Sequence, residues 1–346
     1  MRKINIGVVG ATGVVGETFL ELLDERNFPL GQLRLFASEN SKGKALQCQG
    51  QDRPVEALHA DCFRGLDLVF FSSGDDISLE WAPRAVAQGA FAVDNSAAFR
   101  MQDAYPLVVP EVNGDLLPKV KAGQTAEPII IANPNCSTIQ LVVALQPLLK
   151  KFGLKTVRVA SYQSVSGAGR AGIEELLSTT RIALEGEDIK TSETFPQPVT
   201  FNCVPQIGRF NDDGFCTEEL KIMSETRKIL RQTSLPISAF TVRVPTLNGH
   251  AEVVWATLDK NVSHDEVEKA LSDASGIVLT PSRGQAKGPA YPTQAFASGH
   301  DPVYVGRVHR DASDPYTWLL WVVADNLRKG AALNGIQIAE HIFDLK

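Results

Sequence analysis

The chain has 346 residues, 44% of them hydrophobic and 21% charged, enough apolar side chain for packed cores of about two domains and too much for a disordered chain. With 34 basic against 40 acidic residues the formal charge is −6, and no basic stripe marks a nucleic-acid binder. No apolar run approaches the ~18 residues of a membrane-spanning helix. The five cysteines, Cys48, Cys62, Cys136, Cys203 and Cys216, are odd in number and contain no C-x-x-C pair. That argues against a disulfide framework or a zinc knuckle and points to reduced thiols in the cytoplasm. No metal site is expected.

The start, Met1-Arg2-Lys3 followed by apolar residues, has the outline of a signal peptide. Glycines at 7, 10, 13 and 16 interrupt it and favour another reading. Residues 3–9 form a short apolar strand, Gly10-Ala-Thr-Gly13-Val-Val-Gly16 a turn, and Phe19, Leu20, Leu22 and Leu23 the apolar face of a helix. Strand, glycine turn and helix N-terminus together can cradle a pyrophosphate. The spacing is G-x-x-G-x-x-G, not the commoner G-x-G-x-x-G, and a glycine turn with no ligand is the alternative. Further strands at Leu33–Ala37, Leu66–Phe71, from Ala92, and at Pro128–Ala132 alternate with helical segments such as Glu80–Gln88. This rhythm predicts a parallel sheet with right-handed crossovers.

The next segment carries the chemistry. Ile130-Ile-Ala-Asn133-Pro-Asn135-Cys136-Ser137-Thr138 runs from a strand through a turn into a long amphipathic helix that Gly153 would end. Cys136 therefore sits at a helix N-terminus, where the dipole and free N–H groups favour thiolate. A thiolate there is a nucleophile, and the same N–H groups suit an oxyanion. The other four cysteines read as small buried hydrophobes. Of the six histidines only His250, in Arg243-Val-Pro-Thr-Leu-Asn-Gly249-His250, lies where a loop between two apolar strands could aim it and Arg243 into one cleft; a loop histidine with no role is the alternative. Cysteine and histidine beside a nucleotide domain suggest an aldehyde dehydrogenase cycle. A Cys-His hydrolase would have no use for the glycine turn.

Several motifs are specific together: Asn133-Pro-Asn-Cys-Ser-Thr, Tyr162-Gln-Ser-Val-Ser166-Gly167-Ala-Gly169-Arg, Glu218-Glu-Leu-Lys221, Arg243-Val-Pro…Gly249-His250, and Asp325-Asn-Leu-Arg-Lys-Gly-Ala-Ala. By them the chain closely resembles the aspartate-semialdehyde dehydrogenase family from end to end. The related N-acetyl-glutamyl-phosphate reductases carry Pro-Gly-Cys where this chain has Pro-Asn-Cys. They are the alternative within the class, and a catalytically silent nucleotide-binding paralogue is the alternative outside it.

The resemblance implies an α/β chain: a Rossmann-type dinucleotide-binding domain over 1–132 and 326–346, and a mixed α+β substrate and dimerisation domain over 133–325. A C-terminal helix near 328–343 returns to the nucleotide domain. It implies NADPH-dependent reductive dephosphorylation of L-aspartyl-4-phosphate to L-aspartate-4-semialdehyde, towards lysine, threonine and methionine. Cys136 is then the nucleophile, His250 the acid/base and Gln163 the substrate-orienting residue. Arg243 and Glu218 hold the amino acid's carboxylate and ammonium, and Arg100 and Lys221 hold phosphate. Such residue types suit such ligands. For Glu218 and Lys221 the plain alternative is a surface i,i+3 ion pair on a helix at 217–233. Gly10, Thr12, Gly13, Val14 and Val15 match the pyrophosphate turn, Ser166 and Gly167 a second contact loop, and Asn326 a contact near the nicotinamide. Where the family commonly has Ser-x-Arg-Ser for the 2′-phosphate of NADP, this chain has Ser38-Glu39-Asn40-Ser41. The expected cofactor is NADP with NAD as a weaker alternative. The expected partners are substrate and phosphate, with no nucleic acid or membrane, and a homodimer.

Overall fold

In a computed structural model of the protein, residues 2–120, 126–189, 191–281 and 291–345 are described. The chain divides into two compact units, residues 1–135 with 331–346, and residues 136–330.

The first unit is built on a seven-stranded sheet. Its strands are β1 (Ile4–Val9), β2 (Leu30–Phe36), β3 (Ala45–Cys48), β4 (Gln51–Glu56), β5 (Leu68–Phe71), β6 (Phe91–Asp94) and β7 (Ile130–Ala132), in the order β3-β4-β2-β1-β5-β6-β7. All neighbours are parallel except the β3–β4 hairpin. Because both faces are covered, the central strand β5, Leu-Val-Phe-Phe, is apolar throughout and buried at every position. Phe70 stacks on Phe19 of the helix Val14–Glu25 at 4.3 Å. Phe71 points the other way, into an edge-on group with Phe63, which also meets Phe36 and Trp81. The C-terminal helix Leu333–Ile342 buries Leu333, Ile336, Ile338 and Ile342 in the Phe19 and Phe70 core.

The glycine turn has the geometry its sequence requires. Gly10 adopts φ +83°, and a Cβ on Gly16 would collide with the Gly10 carbonyl. Gly10 and Ala11 N–H groups donate to Phe36 O, fixing the turn at the end of β2.

The second unit carries a mixed sheet of β8 (Thr156–Gln163), β9 (Ile237–Arg243), β10 (His250–Thr257), β11 (Ile277–Leu279), β12 (Val303–Arg310) and β13 (Thr317–Ala324), ordered β11-β12-β13-β10-β8-β9. The β11–β12 and β8–β9 pairs are parallel and the rest antiparallel. Helices Cys136–Phe152, Thr217–Ile229 and His264–Ser272 cover one face. The other face leaves Arg158, Phe240 and part of Trp255 exposed.

Four local expectations change. The helix expected over 217–233 ends at Ile229, and Leu230 leads into the turn before β9. The expected 328–343 helix opens with a π-turn, Arg328–Ala332, and becomes α-helical only at Leu333. The helix from Cys136 is not one-sided: residues 137–145 are all buried, because it lies on the sheet and is flanked by two other helices. Cys203 is exposed, not buried. The adjacent Val204 takes the inward position, against Val165 and Val199, and turns its neighbour out.

Candidate active site

One end of the second sheet is a row of polar residues. Gln163, the last residue of β8, is paired with Arg243, the last of β9, and His250, the first of β10, is paired with Ala324 at the end of β13. The register Ala251–Tyr162 sets His250 beside Gln163. Cys136 is the first residue of its helix and is partly exposed, and Glu218 lies in the first turn of helix Thr217–Ile229.

Hydrogen bonds join these side chains. Gln163 Nε2 donates to Ser137 Oγ at 2.8 Å and stands 3.3 Å from both Ser161 Oγ and Glu218 Oε1. It thereby ties the turn that carries Cys136 to Glu218. Arg243 Nη1 donates to Ser164 O at 2.6 Å, with the guanidinium over the Phe195 ring. Burial pulls Arg243 below its ordinary pKa, while Glu218 and then Cys136 pull it back up, so both lie within its field. His250 is fully buried; burial, followed by the Arg243 charge, lowers its pKa to about 3, with the Gly249 backbone opposing. A Cβ on Gly167 would stand 3.1 Å from Arg243 Nη1 and 3.4 Å from His250 Nε2, so the backbone there passes beside both groups. Cys136, Gln163, Glu218, Arg243 and His250 are thus one site.

Lys221 Nζ lies 3.9 Å from Glu218 Oε2, so the i,i+3 pair exists, but its acidic end is buried. Arg100, in the first unit, is buried; its Nη2 donates to Asn95 O at 2.8 Å, and burial raises the pKa of nearby Asp94, which the Arg100 charge only partly opposes. In the glycine turn Gly13 is the N-cap of helix Val14–Glu25 and offers no side chain to its N–H groups, while Thr12, Val14 and Val15 are half-buried. After β2, Ser38 and Asn40 are exposed and Ser41 half-buried around a 3₁₀ turn. Glu39 is 74% exposed and pairs with Lys42 at 3.6 Å. Ser166 and Asn326 are buried and bonded to each other: Asn326 Nδ2 donates to Ser166 Oγ at 3.0 Å.

The sequence profile of the semialdehyde dehydrogenase NAD-binding domain matches residues 5–120, and that of the semialdehyde dehydrogenase dimerisation domain matches residues 145–329. Aspartate-semialdehyde dehydrogenase of Aquifex aeolicus (strain VF5) is 44% identical over 336 residues, covering 97% of this chain and 96% of that protein. The Legionella pneumophila protein of the same name is 44% identical over 344 residues, 98% and 95% of the two chains. The chain belongs to the aspartate-semialdehyde dehydrogenase family. Among solved structures, Vibrio cholerae aspartate semialdehyde dehydrogenase II complexed with ASA superposes with a TM-score of 0.92 at 43% identity, covering 99% of this chain and 98% of that one.

This member of the semialdehyde dehydrogenases binds a nicotinamide dinucleotide through its first unit. Its site includes residues that sequence reasoning did not single out. Ser164 bonds the ring of His250, Asn248 donates to Asp325 Oδ2 at 2.7 Å, and Asp325 Oδ1 accepts the Leu327 and Arg328 N–H groups that open the π-turn. A Cβ on Gly330 would stand 2.8 Å from Cys136 Cβ, so that turn can pass the cysteine only with glycine there. Glu252 is buried behind His250. Strand alternation could have found it: a carboxylate two residues from a candidate histidine shares its face.

Proposed function

We propose that this protein reduces L-aspartyl-4-phosphate to L-aspartate-4-semialdehyde, with NADPH as the preferred reductant, on the route to lysine, threonine and methionine. The observation that carries the reading is the convergence of Cys136, at a helix N-terminus, with the buried Arg243–Glu218 pair and Gln163. The two buried groups, each within the other's field, offer a cation and an anion, as an α-amino acid requires. The Vibrio cholerae relative complexed with ASA supports the same substrate class.

In this reading Cys136 Sγ attacks the acyl carbon, the C–O bond to phosphate breaks, and a thioester forms. Helix N–H groups beside Cys136 oppose the charge that develops on the carbonyl oxygen. Arg243 and Glu218 hold the carboxylate and ammonium, Gln163 keeps the reacting end against Ser137, and Arg100 and Lys221 supply cations for phosphate. His250 serves the reacting oxygen. The uncapped turn at Gly10, Thr12, Gly13, Val14 and Val15 suits a pyrophosphate, and Ser38, Asn40 and Ser41, around the 3₁₀ turn after β2, are read as the ribose end. Ser166, Gly167 and Asn326 are read as the loop near the nicotinamide. When bound, the dinucleotide supplies the hydride that converts thioester to aldehyde. The balance is acyl phosphate, NADPH and one proton giving aldehyde, NADP⁺ and hydrogenphosphate.

The dimerisation-domain match supports a homodimer, with the uncovered face around Phe240 as its contact. The five free thiols suit a reducing compartment, the cytoplasm. Among the described residues no helix is long and apolar enough to cross a membrane.

The test offers L-aspartyl-4-phosphate and N-acetyl-glutamyl phosphate separately with NADPH. Oxidation of NADPH with the first alone is expected. Turnover with the second alone would make the chain an N-acetyl-glutamyl-phosphate reductase, and turnover with neither would make it a binding protein.

A further inference from the structure

Residues 191–200 form no helix or strand, yet the helix Gly169–Leu184 holds them along their length. Ser192 Oγ donates to Glu175 Oε1, and the N–H groups of Glu193 and Thr194 donate to Glu175 Oε2 at 3.1 and 2.7 Å. Burial would raise the Glu175 pKa, but these bonds outweigh it and hold the carboxylate below its ordinary value. One turn further along the helix, Thr179 Oγ1 lies 2.6 Å from Thr200 Oγ1. Glu175 and Thr179 share a helix face, so that face fixes both ends of the segment. Between the ends, Pro196 and Pro198 restrict the backbone. Phe195, whose N–H donates to Ser192 Oγ at 3.2 Å, turns inward against Leu176 and Val204. Its Cζ stands 3.0 Å from where a Cβ on Gly172 would be, so the ring leans on the helix where the helix has no side chain.

The chain then meets Arg243 twice. Val204 exchanges two backbone hydrogen bonds with Arg243, at 2.8 and 2.9 Å. The Arg243 guanidinium lies over the Phe195 ring, its Cζ 5.6 Å from the ring centroid. Arg243 is 7% exposed, and among the described residues its guanidinium makes one hydrogen bond, Nη1 to Ser164 O. An aromatic face attracts a buried cation without taking up the in-plane donors that bind a carboxylate as a fork.

We propose that Phe195, strapped in place by Glu175 and Thr179, is a positioning residue that sets the Arg243 guanidinium to receive the substrate's α-carboxylate, and so helps to select α-amino acid substrates. The proposal rests on the role given to Arg243 above and deepens it. An arginine side chain has many rotamers, and only one orientation offers a carboxylate both bonds of the fork. With a ring beneath the guanidinium and a carbonyl at its edge, that orientation is set before substrate arrives. Without the ring, the substrate must order the guanidinium itself, at a cost in affinity.

The test places 3-fluoro- and 3,5-difluorophenylalanine at position 195 of the full-length protein. Fluorine draws charge from the ring face, keeps the ring's shape and leaves Cζ unsubstituted against the helix. KM for L-aspartate-4-semialdehyde, with phosphate and NADP⁺, should rise stepwise along the series, by about two- to fivefold in all, with a smaller change in kcat. With 3-aminopropanal, the same aldehyde without the α-carboxylate, kcat/KM should stay level. In Arg243→Gln the series should be flat, because the cation is gone. Phe195→Leu should raise KM for the semialdehyde further, and Glu175→Ala should move it in the same direction by loosening the strap. A flat series in the presence of Arg243, or equal losses with both aldehydes, overturns the proposal and leaves Phe195 as packing alone. Unchanged KM in Glu175→Ala overturns the part given to the strap. Failure of the underlying reading is distinguishable, since the unmodified enzyme would then not turn over the semialdehyde at all.

Discussion

His250 and Glu252 stand two residues apart on β10, project to the same buried face, and are both held uncharged there. Burial is the first cause for both. It lowers His250 from 6.5 to about 3 and raises Glu252 well above 4.5. Among the described residues neither oxygen of Glu252 has a hydrogen-bond partner; the nearby Gln140 amide favours its ionised form and Glu218 disfavours it.

The two groups therefore make opposite contributions to stability. Below its unfolded value His250 takes up a proton only on unfolding, so its contribution is lost as pH falls from 6.5 towards 3. Glu252 is the reverse: above 4.5 it releases a proton on unfolding, so its contribution is lost as pH rises. Glu252→Gln should therefore gain stability relative to wild type as pH rises from about 5 to about 8, by at most about 1.4 kcal/mol per pH unit. Denaturant titrations of both proteins at several pH values check this, and a difference independent of pH would contradict it.

Arg243 stacks over Phe195, donates to Ser164 O, and faces Glu218. Arg243→Lys keeps the charge and loses the planar fork. KM for aspartate semialdehyde should rise well before kcat falls, by about tenfold for one lost charge-assisted bond. Steady-state kinetics with unchanged KM and reduced kcat would move Arg243 from binding to the chemical step.

Arg100→Leu and Lys221→Leu should each raise the KM for phosphate in the semialdehyde-oxidising direction, again by about tenfold or more. Lys221 is the sharper case, because its partner Glu218 is buried and would keep its contact with Gln163 in the variant. Normal saturation by phosphate in Lys221→Leu would return that lysine to a plain helical ion pair.

At the proposed ribose end, Lys42 is engaged by exposed Glu39, and Asn40 stands where the resemblance implies an arginine. NADP should be preferred less strongly than that arginine would make it, with measurable activity on NAD. Asn40→Arg should sharpen the preference by about 10- to 100-fold, the value of one charge-assisted bond. Glu39→Gln should act in the same direction by releasing Lys42. No activity of the wild type with NAD, together with an unchanged NADP KM in Asn40→Arg, would refute this reading of the loop.

The parts legible in sequence were those with strong local chemistry. Gly10 and Gly16 announce a turn because no other residue fits there, and β5 reads as a buried parallel strand because both its faces are apolar. Cys136 stood out because a strand, a turn and a helix start meet at it. The β3–β4 hairpin gives no such signal: Gln51-Asp-Arg-Pro-Val-Glu is largely exposed, with little alternation. Ser164 and Asn326 are legible as parts of motifs but not as partners of each other, since 162 residues separate them and only the fold brings them together. For Glu252, alternation gives the face shared with His250, but one polar residue inside an apolar strand says nothing by itself about burial.

The thioester at Cys136 is tested most directly by mixing the enzyme with L-aspartyl-4-phosphate in the absence of NADPH, quenching in acid and mapping the adduct by mass spectrometry. One aspartyl group per chain on Cys136, with release of one phosphate, is predicted. Cys136→Ala should give no adduct and no turnover yet bind NADPH normally. An adduct on Cys203 or Cys216, or substantial turnover by Cys136→Ala, would contradict the account.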